Sequence, residues 1–216
     1  MDEIKNTFHF KIISNIFVLI PVALLTGPFL SDLFLSILGI YFLIISYKYS
    51  LIKYYKNIFV YFFISFYLFL LVRGLVSQYP YESLIKYNGP IFYFRYIFFV
   101  LGIKFLLDIS PDLIKKFSII LFFVILFTCI DGYVQWLFGT NLLGYQSPSI
   151  RITGIFNTEE VLGHFLSHLS PLLLALLSYV YGIGKKKIIF YILFLMFIEF
   201  MICLLYTSPS PRDYGT

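Results

Sequence analysis

Charge is scarce in this chain, and the scarcity decides its class. Lysine and arginine number 16 and the acids 11 among 216 residues, 12% in all, while 60% of residues are hydrophobic. Soluble domains carry about 25% charge, so a water-soluble globular fold is excluded. Cysteine is equally rare. Cys129 and Cys203 both fall in apolar runs, with no CxxC or Cys/His spacing, which excludes a disulfide scaffold and a zinc ribbon. No repeat period is present, and the loops are too short to fold alone. The net charge of +5 is spread over short loops, which marks a topology signal and not a nucleic-acid footprint.

Long apolar runs are what the sequence has instead, with 27 Phe and 19 Tyr. A hydrocarbon core about 30 Å thick takes roughly 20 apolar residues per helix. Seven runs fit: about Ile12 to Gly27, Phe29 to Ser46, Ile58 to Val76, Ile91 to Leu107, Phe117 to Gly139, Val161 to Tyr181 and Ile188 to Tyr206. The pattern predicts an all-α, polytopic transmembrane helix bundle over residues 1–206. The run after Lys11 lacks a small-residue cleavage pattern and is followed by further spans, so it reads as a first helix and not as a removable signal peptide.

The loops alternate in charge. Lys5 and Lys11 precede the first span, Lys48, Lys53 and Lys56 follow the second, Lys115 and Lys116 the fourth, and Lys185, Lys186 and Lys187 the sixth. The intervening loops hold Lys86 with Glu82, and Arg151 with Glu159 and Glu160. Positive charge is retained on the cytoplasmic side, so the N-terminus is expected inside and the Arg151 loop outside.

Charged groups within a span are costly, by about 2.5 to 3.5 kcal/mol on insertion scales, and usually face a partner or a wet cavity. At a 1.5 Å rise per residue, Arg73 and Arg95 lie ~5 to 6 Å from the outer ends of their spans and Asp131 about 12 Å below its own. Asp32 opens the second span, and His164 and His168 occupy the first turns of the sixth. Lys104, near the inner face, and Glu199, nearer the middle of the last span, are exceptions. The shared leaflet points to an outward polar cavity lined by Arg73, Arg95, Asp131, His164 and His168. Read singly, the arginines could instead be interfacial anchors, with Asp131 pairing with one of them. Glu160, His164 and His168 share a helical face at i, i+4, i+8, a spacing that could relay protons or hold a metal. A fourth ligand is missing, and no metal is expected. Pro171, further along, would kink this helix beside a cavity.

The loop before the sixth span, from Gly144 through Ser147, Pro148 and Ser149 to Arg151 and Gly154, can turn sharply at the membrane surface. Asn157 or Thr158 can cap the next helix, with Glu159 and Glu160 in its first turn. Arg151 is left without such a local role. The stretch RITGIFNTEEVLGHFLSHLSP, with Arg151, Gly154, Phe156, Glu160, Gly163 and Pro171, resembles the O-antigen ligase and O-antigen polymerase family of bacterial polytopic glycosyltransferases. DGYVQWLFGTNLLGY, residues 131–145, resembles the preceding span and loop of that family, and the likeness covers about 40 residues.

The resemblance implies a bacterial inner-membrane protein acting on the periplasmic side. Its donor would be an undecaprenyl-diphosphate-linked glycan and its acceptor lipid A core or a growing glycan, with membrane lipids as surroundings and no nucleic acid or cofactor. Arg151 matches the motif arginine and would contact the diphosphate, a group that arginine holds bidentately without a metal. Arg73 and Arg95 are secondary candidates on depth alone. The general base is expected in a later periplasmic loop, so this stretch reads as the N-terminal part of a longer protein, inactive by itself. A proton-coupled secondary transporter of an anionic solute is the alternative. After Tyr206 the chain becomes TSPSPRDYGT. That stretch resembles translated adapter read-through, and residues 207–216 are expected to be a non-native tail.

Overall fold

The computed structural model describes Lys5 and residues 7–85, 89–146, 152–156 and 161–207. The chain is an all-α polytopic membrane protein, 84% helical, with no strand among the described residues. The helices are α1 (Phe8–Ala23), α2 (Pro28–Lys48), α3 (Ile58–Leu75), α4 (Pro80–Leu84), α5 (Phe94–Ile109), α6 (Asp112–Phe138), α7 (Leu162–Tyr181) and α8 (Lys185–Thr207). All but α4 belong to the 7 segments long and apolar enough to cross a membrane. A helix satisfies every backbone N–H and C=O within one segment, which is why these runs adopt it in lipid.

Boundaries shift where polar residues extend a helix beyond its apolar run. α6 begins at Asp112 and not at Phe117, because an acid in the first turn suits the helix dipole and lysines at 115 and 116 can sit among headgroups. The fourth span opens with a 3-10 turn, Pro90–Tyr93, before α5. The short α4 was not expected from hydropathy. It follows from Pro80 at a first-turn position and Glu82 behind it.

The chain forms two compact units, residues 1–20 with 28–113, and residues 21–27 with 114–216. In the first, α2 and α5 run parallel. A Cβ on Gly102 would stand only 3.1 Å from the Leu38 carbonyl oxygen, so glycine is what lets the two backbones approach. Leu38, Phe42, Leu101 and Phe105 fill the seam, with the Phe42 and Phe105 rings 6.1 Å apart. At one end the Tyr54 hydroxyl donates to Asp108 Oδ2 at 2.9 Å. Burial first, and then the Asp108 carboxylate, hold that hydroxyl above the usual tyrosine range. At the other end Arg95 Nη2 donates to Asp32 Oδ2 at 3.1 Å. α3 runs the opposite way, so that Gly74 in its last turn packs on Leu84 and Pro90.

The second unit is built on one face of α6. Ser118, Leu121, Ile125, Thr128, Asp131 and Gln135 are all buried, a stripe at helical spacing whose last two turns carry Asp131 and Gln135. α8 runs parallel to α6: the Phe122 and Phe194 rings are 4.9 Å apart, and the Tyr133 hydroxyl donates to the Phe197 carbonyl at 2.7 Å. α7 runs antiparallel. Leu162 begins it beside Gly132 and Gly154, and its last carbonyl, of Tyr181, accepts from the Lys187 ammonium. Lys185, Lys186 and Lys187 therefore lie at the end of this unit opposite the loop between α6 and α7. Large apolar side chains such as Phe62, Phe66, Phe123 and Leu193 remain exposed, as a lipid solvent permits.

Candidate functional site

The polar end of the α6 stripe holds the loop that follows it. Asp131 is 1% exposed, and its Oδ1 accepts the Leu142 N–H at 2.8 Å. One turn later, Gln135 Oε1 accepts from both Thr153 N at 2.9 Å and Gly154 N at 2.6 Å. Asn141 lies between the two loop segments. Its Oδ1 accepts from Leu143 N and Tyr145 N, and its Nδ2 donates to the Gly154 carbonyl at 2.9 Å. Gln135 thus satisfies two buried N–H groups that would otherwise be unpaired, at a cost of about 1–3 kcal/mol each, while Asp131 and Asn141 shape the part-buried turn over Leu142 to Tyr145.

Gly154 is required where it stands. Its φ is +57°, and a Cβ there would meet Asp131 Oδ2 at 3.2 Å and Leu162 Cδ2 at 3.3 Å. Phe156 closes the 3-10 turn Gly154–Phe156 and packs its ring 5.4 Å from that of Phe165. Gly163 is buried in the first turn of α7. The structure therefore brings Gly154 against Asp131 and Leu162 and Phe156 against Phe165, with Gly163 buried next to Leu162 in α7. Arg151 and Glu160 lie outside the described residues, as do Lys86, Ser147, Asn157, Thr158, Glu159 and residues 208–216.

The residues grouped in the sequence as one outer cavity divide between the units. Asp32, Arg73 and Arg95 belong to the first, and Asp131, His164 and His168 to the second. In the first unit, Arg73 in the last turn of α3 shares an end with Arg95, and its side chain is exposed. Arg95 is paired: it shares its charge with Asp32, the two side chains being 33% and 52% exposed. Asp131 Oδ2 is buried with no hydrogen bond among the described residues.

His164 and His168 are exposed on α7, unlike Asp131. His168 Nδ1 lies 2.7 Å from the His164 carbonyl oxygen. A carbonyl only accepts, so Nδ1 carries the proton there. Among the described residues no group of three His, Cys, Asp or Glu side chains could hold a metal ion. Pro171 lies inside α7, which continues through it to Tyr181. Lys104 and Glu199 are exposed on α5 and α8.

Sequence reasoning missed Gln135, Asn141 and Thr153. The signal for Gln135 was present, since it follows Asp131 by four residues and so shares its face. Asn141 and Thr153 carry no periodic signal, because their partners come from loop closure.

No protein-family model matches the chain, and neither a curated protein nor a solved structure does. The fold and the composition of its helices define the class, a multi-pass all-α membrane protein.

Proposed function

We propose that this chain forms part of a glycosyltransferase of the O-antigen ligase or polymerase kind, which uses an undecaprenyl-diphosphate-linked glycan at the outer face of a bacterial inner membrane. The observation that supports this best is the anchoring of the segment next to Arg151. Ile152, Thr153 and Gly154 are all buried, and Gln135 holds two of their N–H groups. An arginine adjoining a fixed backbone can present its planar donors to a diphosphate with little loss of loop entropy. Charge then builds on the leaving diphosphate as the glycosidic C–O bond breaks, and a guanidinium stabilises it without a metal.

In a glycan-transferring protein that contains this sequence, Arg151→Lys is expected to lose most transfer when expressed in ligase-deficient and polymerase-deficient strains, because a point charge replaces a two-pronged donor. His164→Ala is expected to be milder, and chelation without effect. Retained transfer in Arg151→Lys, together with loss in His164→Ala, would overturn the diphosphate assignment.

One observation favours a second reading, a proton-coupled transporter of an anionic solute. Asp131 Oδ2 is a buried carboxylate oxygen without a hydrogen bond among the described residues, the kind of group that carries protons within a membrane. Proton flux into proteoliposomes that depends on an added anion and is lost in Asp131→Asn would favour it over transfer.

A further inference from the structure

Where α2 and α5 begin, the first unit encloses a cavity of about 380 Å³. Asp32 and Arg95 form its polar wall, and Phe92, Tyr93 and Tyr96 supply rings, with Gly89 at the turn. The Arg95 guanidinium lies 5.3 Å from the centre of the Tyr96 ring. The Tyr93 and Tyr96 rings stand edge to face, 5.6 Å apart at 75°.

We propose that this cavity binds a pyranose ring of a neutral glycan. Charge is the first reason. An anion drawn to Arg95 meets the Asp32 carboxylate 3.1 Å away, and its repulsion offsets most of the attraction. A neutral ligand has no such conflict. Hydrogen-bonding capacity is the second. Arg95 donates to Asp32 through Nη2 and its Nε is buried, which leaves the other Nη hydrogens to a ligand, while the carboxylate keeps lone pairs free. Donors and acceptors side by side match vicinal sugar hydroxyls, each of which both donates and accepts. The rings are the third. Sugar C–H bonds are made electropositive by neighbouring oxygens, and an aromatic face is electronegative. Finally, the volume lies near the lower end of the roughly 300–1,000 Å³ of small-molecule sites, which suits one or two sugar rings and not an extended lipid. The inference deepens the glycan-transfer reading and rests on it for the supply of a glycan.

The test uses the full chain in nanodiscs, titrated with methyl glycosides of glucose, galactose, rhamnose and N-acetylglucosamine and, separately, with inorganic pyrophosphate, read by saturation-transfer NMR and calorimetry. At least one glycoside is expected to bind and pyrophosphate not to displace it. Tyr93→Leu should weaken binding about two- to tenfold, the scale of one lost aromatic contact. Asp32→Leu should weaken glycoside binding and create pyrophosphate binding, because Arg95 is then unpaired. Both positions are partly exposed, so both variants should keep the helical circular dichroism of the parent, and Tyr96→Leu serves as a second ring variant. Absence of glycoside binding to the folded protein overturns the proposal. So does binding that neither Tyr93→Leu nor Asp32→Leu changes, or pyrophosphate binding to the parent in preference to sugar. Failure of the transfer reading appears elsewhere, as unimpaired glycan transfer in Arg151→Lys.

Discussion

Gln135 Oε1 and Gly154 N are 2.6 Å apart across 19 residues of chain, and the same oxygen accepts the Thr153 N–H. One amide on the core face of α6 therefore fixes where the loop before α7 returns to the membrane. Gln135→Leu would leave two buried N–H groups unpaired, at about 1–3 kcal/mol each. Thermal unfolding in detergent should show the loss. Gln135→Glu, which keeps an acceptor, should lose less, and equal stability of Gln135→Leu and the parent would refute the anchoring role.

Asp131 differs from Gln135 in having one oxygen bonded and one without a partner among the described residues. Asp131→Asn keeps the acceptor for Leu142 N and removes a charge whose burial is costly, so it should be at least as stable as the parent. Asp131→Leu removes the acceptor of the part-buried Leu142 N–H and should cost about 0.5–1.5 kcal/mol. If both variants unfold at the same lowered temperature, the carboxylate does more than accept from Leu142.

Orientation can be read by cysteine labelling. Leu143 is exposed in the loop between α6 and α7, and Gly184 precedes α8. In a Cys203→Ser background, with Cys129 buried, an impermeant thiol reagent on intact cells should label Leu143→Cys and spare Gly184→Cys. The opposite pattern would reverse the proposed sidedness and remove the outer-face argument.

The Tyr54 to Asp108 bond gives a pH dependence. The folded-state pKa of Tyr54 is raised by burial and by Asp108, so its contribution is present in full below the unfolded tyrosine value of about 10 and is lost as pH rises through the folded value. Stability of the parent should fall on the alkaline side. Tyr54→Phe should lower stability at neutral pH by about 1–3 kcal/mol and flatten the alkaline decline. An unchanged alkaline profile would assign the decline to another group.

The seven spans were legible because a bilayer needs a run of apolar residues and leaves the backbone no alternative to the helix. The core face of α6 has a signal in the spacing that went unread, since Asp131 was expected at a wet cavity and Gln135 was missed. Asp131 and Gln135 fall on the 3.6-residue stripe of Leu121, Ile125 and Thr128, so their burial follows from spacing. The need for glycine between α2 and α5 was not legible, since Gly102 acquires its role only when the Leu38 carbonyl comes within 3.1 Å of its absent Cβ.

Composition and periodicity by themselves determined that this chain is a multi-pass helical membrane protein, and the lysine pattern set an expected orientation, because both depend only on local transfer energies. Which charges meet was decided by tertiary structure alone. Arg95 finds Asp32, 63 residues away, and Asp131 accepts the N–H of Leu142 from the loop that follows its own helix. Depth along a helix says how far a side chain lies from the surface, but its partner depends on how helices are rotated and which stand side by side. Those are set by packing such as Phe42 on Phe105 and Phe122 on Phe194, and no spacing within one segment encodes them.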